Sequence, residues 1–136
     1  MTTARCLRIA SVLSFLFAAG HTLGGRKSWS PLGETETLTA MRSFRFDALG
    51  VSRSYLDFYL GFGYTISVFL LLQTIVLWQL AGLAKADALR VRPLVASFAV
   101  ASFACGLLAW RFIFPVPTLF SAVLTATLVV AWLLGR

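Results

Sequence analysis

Few side chains in this 136-residue chain could move a proton: one histidine, five acids, three tyrosines and two cysteines. His21, the one imidazole, suits the part of a general base. Asp57, Gly61 and Tyr64 recur at i, i+4 and i+7, so on a helix they share one face. The glycine between them leaves an opening beside a carboxylate and a phenol, where a lipid-like molecule could enter. Glu34-x-Glu36 could hold a hydroxyl or a cation. Arg53, Trp110 and Arg111 would add cations and a ring to such a site. A structural role stands beside each of these. Asp57 can pair with Arg53, one turn earlier, or with Arg111. His21 can end a helix bonded to Tyr64 or Glu34, and the two glutamates can be solvated acids at a helix start.

The same residues speak against a metal or a bound cofactor. One histidine gives no second imidazole for a haem, and no Cys/His set has zinc spacing. Cys6 precedes the first apolar run and Cys105 lies inside the third. Such a difference in depth exceeds the roughly 7 Å between Cα atoms that a disulfide spans, so two free thiols are expected.

Hydrophobic residues make up 59% of the chain and charged residues 12%, against about 25% charged in soluble domains. Mean hydropathy is +0.85. The net charge of +7 lies in short segments between apolar runs, which fits membrane topology and not nucleic-acid binding. Four runs are long enough to cross a bilayer, at 7–23, 55–83, 94–113 and 118–134. The expected fold is an all-α, polytopic membrane bundle of four transmembrane helices in one domain. The first run also reads as a secretory signal ending at Phe17-Ala18-Ala19-Gly20. A retained helix is preferred, because Ala10, Ser14 and Ala18 form an i+4 stripe of small residues that lets helices approach.

Glycines 24 and 25 are expected to stop the first helix. The 28–53 connection is expected to hold an interfacial helix at 34–49, with Leu38, Met41 and Phe44 as its apolar edge and Gly50 as its stop. Pro93 fits the first position of the third span. Phe114-Pro-Val-Pro117 reads as a sharp connection. Ser97, Ala101, Cys105 and Ala109 form a small-residue ladder on the third span, a seam either inside the bundle or between two copies. Trp29, Trp78, Trp110 and Trp132 read as interface markers, and Gly61-Phe-Gly63 as a packing feature.

Four spans place both termini and the 84–93 turn on one side. Basic residues tie at six on each side, counting Arg136 with the termini, but they are denser around the 84–93 turn, which puts the termini in the cytoplasm. His21, Glu34, Glu36, Arg53, Asp57, Tyr64, Trp110 and Arg111 then fall on the outer side, where a pocket would be roofed by the 28–53 segment.

His-Thr-Leu-Gly-Gly at 21–25, Trp-Ser-Pro at 29–31, Met41-Arg-Ser-Phe, Asp57-Phe-Tyr-Leu-Gly-Phe-Gly and Trp110-Arg-Phe-Ile-Phe-Pro resemble a group of small, uncharacterised four-helix bacterial integral membrane proteins. The resemblance implies the architecture and a bacterial inner-membrane home, and it carries over no functional residue. A fainter likeness, at the level of fold, is to DoxX-type proteins and membrane sterol isomerases. Three functions follow. The first is a non-enzymatic bundle that binds a lipid-like ligand or a partner protein at its outer mouth. The second is an intramembrane acid/base isomerase, cyclase or hydrolase acting on an apolar lipid or isoprenoid, with His21 or Asp57 moving the proton and Tyr64 orienting. The third is a transporter assembled as a homo-oligomer. Expected partners are membrane lipid and a second copy of the chain, and no nucleic acid.

Overall fold

The computed structural model describes residues 1–135; Arg136, counted above among the basic residues, lies outside them. The elements in order are α1 (Thr3–Gly25), α2 (Glu36–Ser43), β1 (Arg45–Ala48), β2 (Val51–Ser54), α3 (Tyr55–Leu83), α4 (Ala88–Phe112) and α5 (Pro115–Leu134). Among the described residues, α1, α3, α4 and α5 are long and apolar enough to cross a membrane, as expected. Only 33% of the most apolar stretch of α1, and 22% of those of the other three, is buried within the chain. The rest is apolar surface that needs an apolar surrounding, the signature of a multi-pass membrane protein. The chain divides into two compact units, Met1–Phe17 with the chain from Leu70 onward, and Ala18–Phe69.

The first unit packs segments of α1, α3, α4 and α5 around Leu7, Ala10, Leu77, Ala81, Val95 and Leu128. Its hydroxyls reach across to neighbouring backbones. Ser11 Oγ donates to the Thr74 carbonyl at 2.7 Å, Ser14 Oγ to Leu70 at 3.2 Å and Thr3 Oγ1 to Ala131 at 3.3 Å. Ala10 and Ser14, from the expected small-residue stripe, are fully buried, and Ala18 is buried as well.

The expected ladder on α4 is not its packed face. Ser97, Ala101 and Cys105 are exposed, and only Ala109 is buried. The buried row is Val91, Val95, Ala99, Ser102 and Ala109. It carries apolar bulk as well as small residues, and Gly106 admits α5 so closely that a Cβ there would lie 3.2 Å from Ser121 Cβ. A row of small residues permits approach but offers little area to bury. Cys6 and Cys105 are free thiols, as expected, the first buried and the second exposed.

Helix starts lie earlier than the hydropathy suggests. α1 begins at Thr3. α4 begins at Ala88, because the Asp87 carboxylate accepts the Arg90 N–H at 3.0 Å as an N-cap. Pro93 is therefore inside α4 and not at its first position. The segment around Pro115 and Pro117 is not a separate connection. Both prolines sit in the first turn of α5, where N–H groups have no intrahelical partner to lose.

In the second unit the 34–49 helix is replaced by a shorter helix and a hairpin. Thr35 caps α2 by accepting the Leu38 N–H at 3.2 Å, and α2 stops at Ser43. β1 and β2 then pair antiparallel, with Ala48 opposite Val51. Leu49 (φ +56°) and Gly50 (φ +85°) both lie in the left-handed region, which identifies a type I′ turn. Asp47 Oδ1 fixes it by accepting the Gly50 N–H at 2.8 Å. Gly50 is thus a turn residue and not a helix stop. Of the expected apolar edge only Leu38 is buried, while Phe44 is exposed. Phe46 supplies the hairpin's packing instead, with its ring centroid 5.0 Å from Tyr55 and 5.5 Å from Phe58.

Leu49 is fully exposed in a backbone conformation that asparagine adopts with less strain. Leu49→Asn is expected to stabilise the hairpin by about 1 kcal/mol, read as a raised thermal midpoint in detergent. A lowered midpoint would show that the leucine makes contacts outweighing its backbone cost.

Candidate functional site

The polar residues of the second unit are arranged around Trp29. After α1 the backbone turns in a Schellman motif: the Trp29 N–H bonds to the Gly24 carbonyl at 3.0 Å and the Ser28 N–H to Gly25 at 2.9 Å. Ser28 (φ +51°) and Trp29 (φ +48°) take the left-handed conformations usually given to glycine. Gly24 and Gly25 do not, so they are not the conformational stop the sequence suggests. They make room. A Cβ on Gly24 would lie 3.0 Å from Trp29 Cδ1, and one on Gly25 2.8 Å from Trp29 Cζ2. A Cβ on Gly63, in α3, would overlap the same ring at Cη2 and Cζ3. Trp29 is therefore seated in a socket of three glycines.

Three other rings complete the seat. Trp29 lies 5.1 Å from His21, 5.1 Å from Tyr64 and 6.2 Å from Tyr59, the last two edge-on, a favoured geometry for aromatic pairs. Its indole Nε1–H donates to the His21 carbonyl at 2.8 Å. His21 Nε2 lies 2.9 Å from the Gly63 carbonyl. Since a carbonyl only accepts, that nitrogen carries the proton and donates. Tyr64 OH donates to the Gly25 carbonyl at 3.4 Å. His21 and Tyr64 are thus brought together, with Trp29 between them and backbone carbonyls as their partners.

Asp57 stands apart from this cluster. Its Oδ2 accepts the Ser54 N–H at 2.8 Å, and Ser54 Oγ accepts the Asp57 N–H at 3.1 Å. This reciprocal pair is a capping box that starts α3. Arg53, with Arg111 one of the two expected ion-pair partners, donates to the Ser52 carbonyl. Among the described residues the ion pair found is Arg42–Glu34 at 3.0 Å, between half-exposed side chains where such a pair contributes little. Glu36 is the exposed first residue of α2 and suits the positive end of its dipole. Gly61 has open space where a Cβ would be, and Thr65 Oγ1 donates to its carbonyl at 2.8 Å.

Trp110 and Arg111 belong to the first unit. Trp110 is exposed, and the Arg111 guanidinium lies 5.1 Å from the Phe112 ring. Among the described residues no three His, Cys, Asp or Glu side chains gather as metal ligands. The residues that sequence reasoning missed are Trp29, Gly24, Gly25 and Gly63. The available signal was two pairs of closely spaced glycines in a chain with a single tryptophan between them.

Two predictions follow from this geometry. Gly63→Ala should destabilise the protein by about 1–3 kcal/mol through overpacking against Trp29, whereas Gly61→Ala, into open space, should be neutral or stabilising in the same detergent melt. For the capping box, Asp57→Asn keeps a side-chain acceptor for the Ser54 N–H, so its midpoint should stay near the wild type while that of Asp57→Ala falls. Equal losses in both would give the negative charge itself a role. Compared with known proteins, the chain matches no family model, no curated protein and no solved structure.

Proposed function

We propose that this is a non-enzymatic, multi-pass protein of a bacterial inner membrane, with cytoplasmic termini, that docks a partner protein through the connection between its first two spans. One observation carries the reading: Leu49 is fully exposed, and strained, at the tip of a braced hairpin. The Asp47 cap and the Phe46 packing on Tyr55 and Phe58 hold that tip in place. An apolar side chain kept at a conformational cost and left fully exposed by the described residues is suited to a contact in another chain. The bacterial home and the orientation rest on the resemblance and on the density of basic residues around the 84–93 turn.

The arrangement around Trp29 supports the non-enzymatic reading over acid/base catalysis. Catalysis asks His21, Asp57 and Tyr64 to meet at one point. Instead His21 and Tyr64 bond to backbone carbonyls around a filled socket, and Asp57 bonds to Ser54.

A photo-crosslinking residue at position 49, introduced in the native host, tests the proposal. The expected result is one discrete protein adduct that a crosslinker at exposed Thr37 does not give. Adducts to lipid alone, or the same adduct from both positions, would overturn it.

A further inference from the structure

In the first unit, Ser11, Val12 and Phe15 of α1 and Thr74, Ile75, Trp78 and Gln79 of α3 line a groove of about 350 Å³. That lies within the range of small-molecule sites, which begin near 300 Å³. The two hydrogen-bonding groups at its floor are already paired, Ser11 Oγ to the Thr74 carbonyl. What remains is almost wholly apolar. Val12, Phe15, Ile75 and Trp78 are each about half exposed, so the groove opens sideways along two spans. An occupant would arrive from the hydrocarbon.

A cation stands beside the groove, against one of its lining residues. Arg8 precedes Ser11, Val12 and Phe15 by three, four and seven positions, so it stands on the same face of α1. Its guanidinium lies 3.4 Å from the centroid of the Trp78 ring, a cation–π contact that fixes the head in place. Arg8 Nη1 is buried from solvent and has no acceptor among the described residues. An unpaired guanidinium N–H in a low-dielectric setting is costly. Among the described residues of the first unit the one acidic side chain is Asp87, which already caps α4. The Arg8 side chain as a whole is only partly buried, so its accessible edge can meet an anion that balances the charge, and the groove beside it accommodates a hydrocarbon chain.

We propose that Arg8, held on Trp78, and the α1–α3 groove form a binding site for an anionic glycerophospholipid. One acyl chain lies along Val12, Phe15 and Ile75. The phosphate takes the accessible edge of the Arg8 guanidinium, whose N–H groups match phosphate oxygens geometrically, and Gln79 adds an amide donor at the same end. The site is independent of the partner-docking reading, because it lies wholly in the first unit.

Native mass spectrometry of the full chain, released from nanodiscs of equal phosphatidylglycerol and phosphatidylcholine with added oleic acid, tests this. Wild type is expected to retain one phosphatidylglycerol with roughly ten-fold preference over phosphatidylcholine, whose phosphate is the same but whose choline cation is repelled by the Arg8 guanidinium and offsets the phosphate charge. Arg8→Gln should abolish the preference, and Arg5→Gln, at an exposed arginine, should keep it. Val12→Trp, which fills the groove from an exposed position, should remove the retained lipid whatever its head group. Equal retention of the two phospholipids by wild type, retention of oleic acid in their place, or an equal effect of Arg5→Gln and Arg8→Gln would overturn the proposal. So would lipid retained at full level by Val12→Trp. The wild-type preference and the groove block decide the matter even if Arg8→Gln does not fold.

Discussion

Four spans whose outward faces are as apolar as their contacts cannot be driven together by the hydrophobic effect alone, because hydrocarbon solvates a leucine as well as a neighbouring helix does. What holds such helices is close approach, and close approach depends on atoms that are missing. Gly106 admits Ser121. Serines and threonines serve the same end, being small and able to reach a backbone carbonyl on the next helix, as Ser11 and Ser14 do from α1 to α3 and Thr3 does to α5. The Thr74 carbonyl lies inside α3 and takes the Ser11 hydroxyl on its other lone pair; the Leu70 carbonyl also accepts the Thr74 hydroxyl at 2.9 Å, and the Ala131 carbonyl lies in the last turn of α5, where helical partners run out.

The same constraint takes another form in the second unit. There a whole indole fills space left by three absent Cβ atoms. The two consecutive left-handed residues that deliver Trp29 to its seat cost about 1–2 kcal/mol each, and the Schellman bonds, the indole hydrogen bond and three flanking rings offset that cost. His21 and Tyr64 are recruited by the seat. The residues that look most like acid/base machinery in the sequence are walls for a tryptophan.

The long spans were legible because hydropathy integrates over twenty residues, and boundary errors arose where capping decided. Asp87 opens α4 six residues ahead of the expected start, and the prolines of α5 lie where proline is tolerated. The hairpin is hidden because Leu38, Met41 and Phe44 carry a helical period from α2 up to the edge of the first strand, and because Leu-Gly is a poor type I′ pair beside Asn-Gly or Asp-Gly. Asp57, Gly61 and Tyr64 do have helical spacing along α3. It misled because Asp57 lies in the first turn of α3, where a carboxylate turns back to cap its own helix. Trp29 passed for an interface marker because glycine spacing announces room without naming what fills it.

The glycine socket also constrains how this sequence can change over time. A side chain at position 63 is admissible only after the ring at position 29 has become smaller, and a smaller ring leaves a void until the glycines have grown. Each single step lowers fitness through stability, while the paired exchange restores it. Among descendants of this chain, positions 24, 25, 29 and 63 should therefore be inherited as one block, with the order of substitution deciding which lineages can leave it.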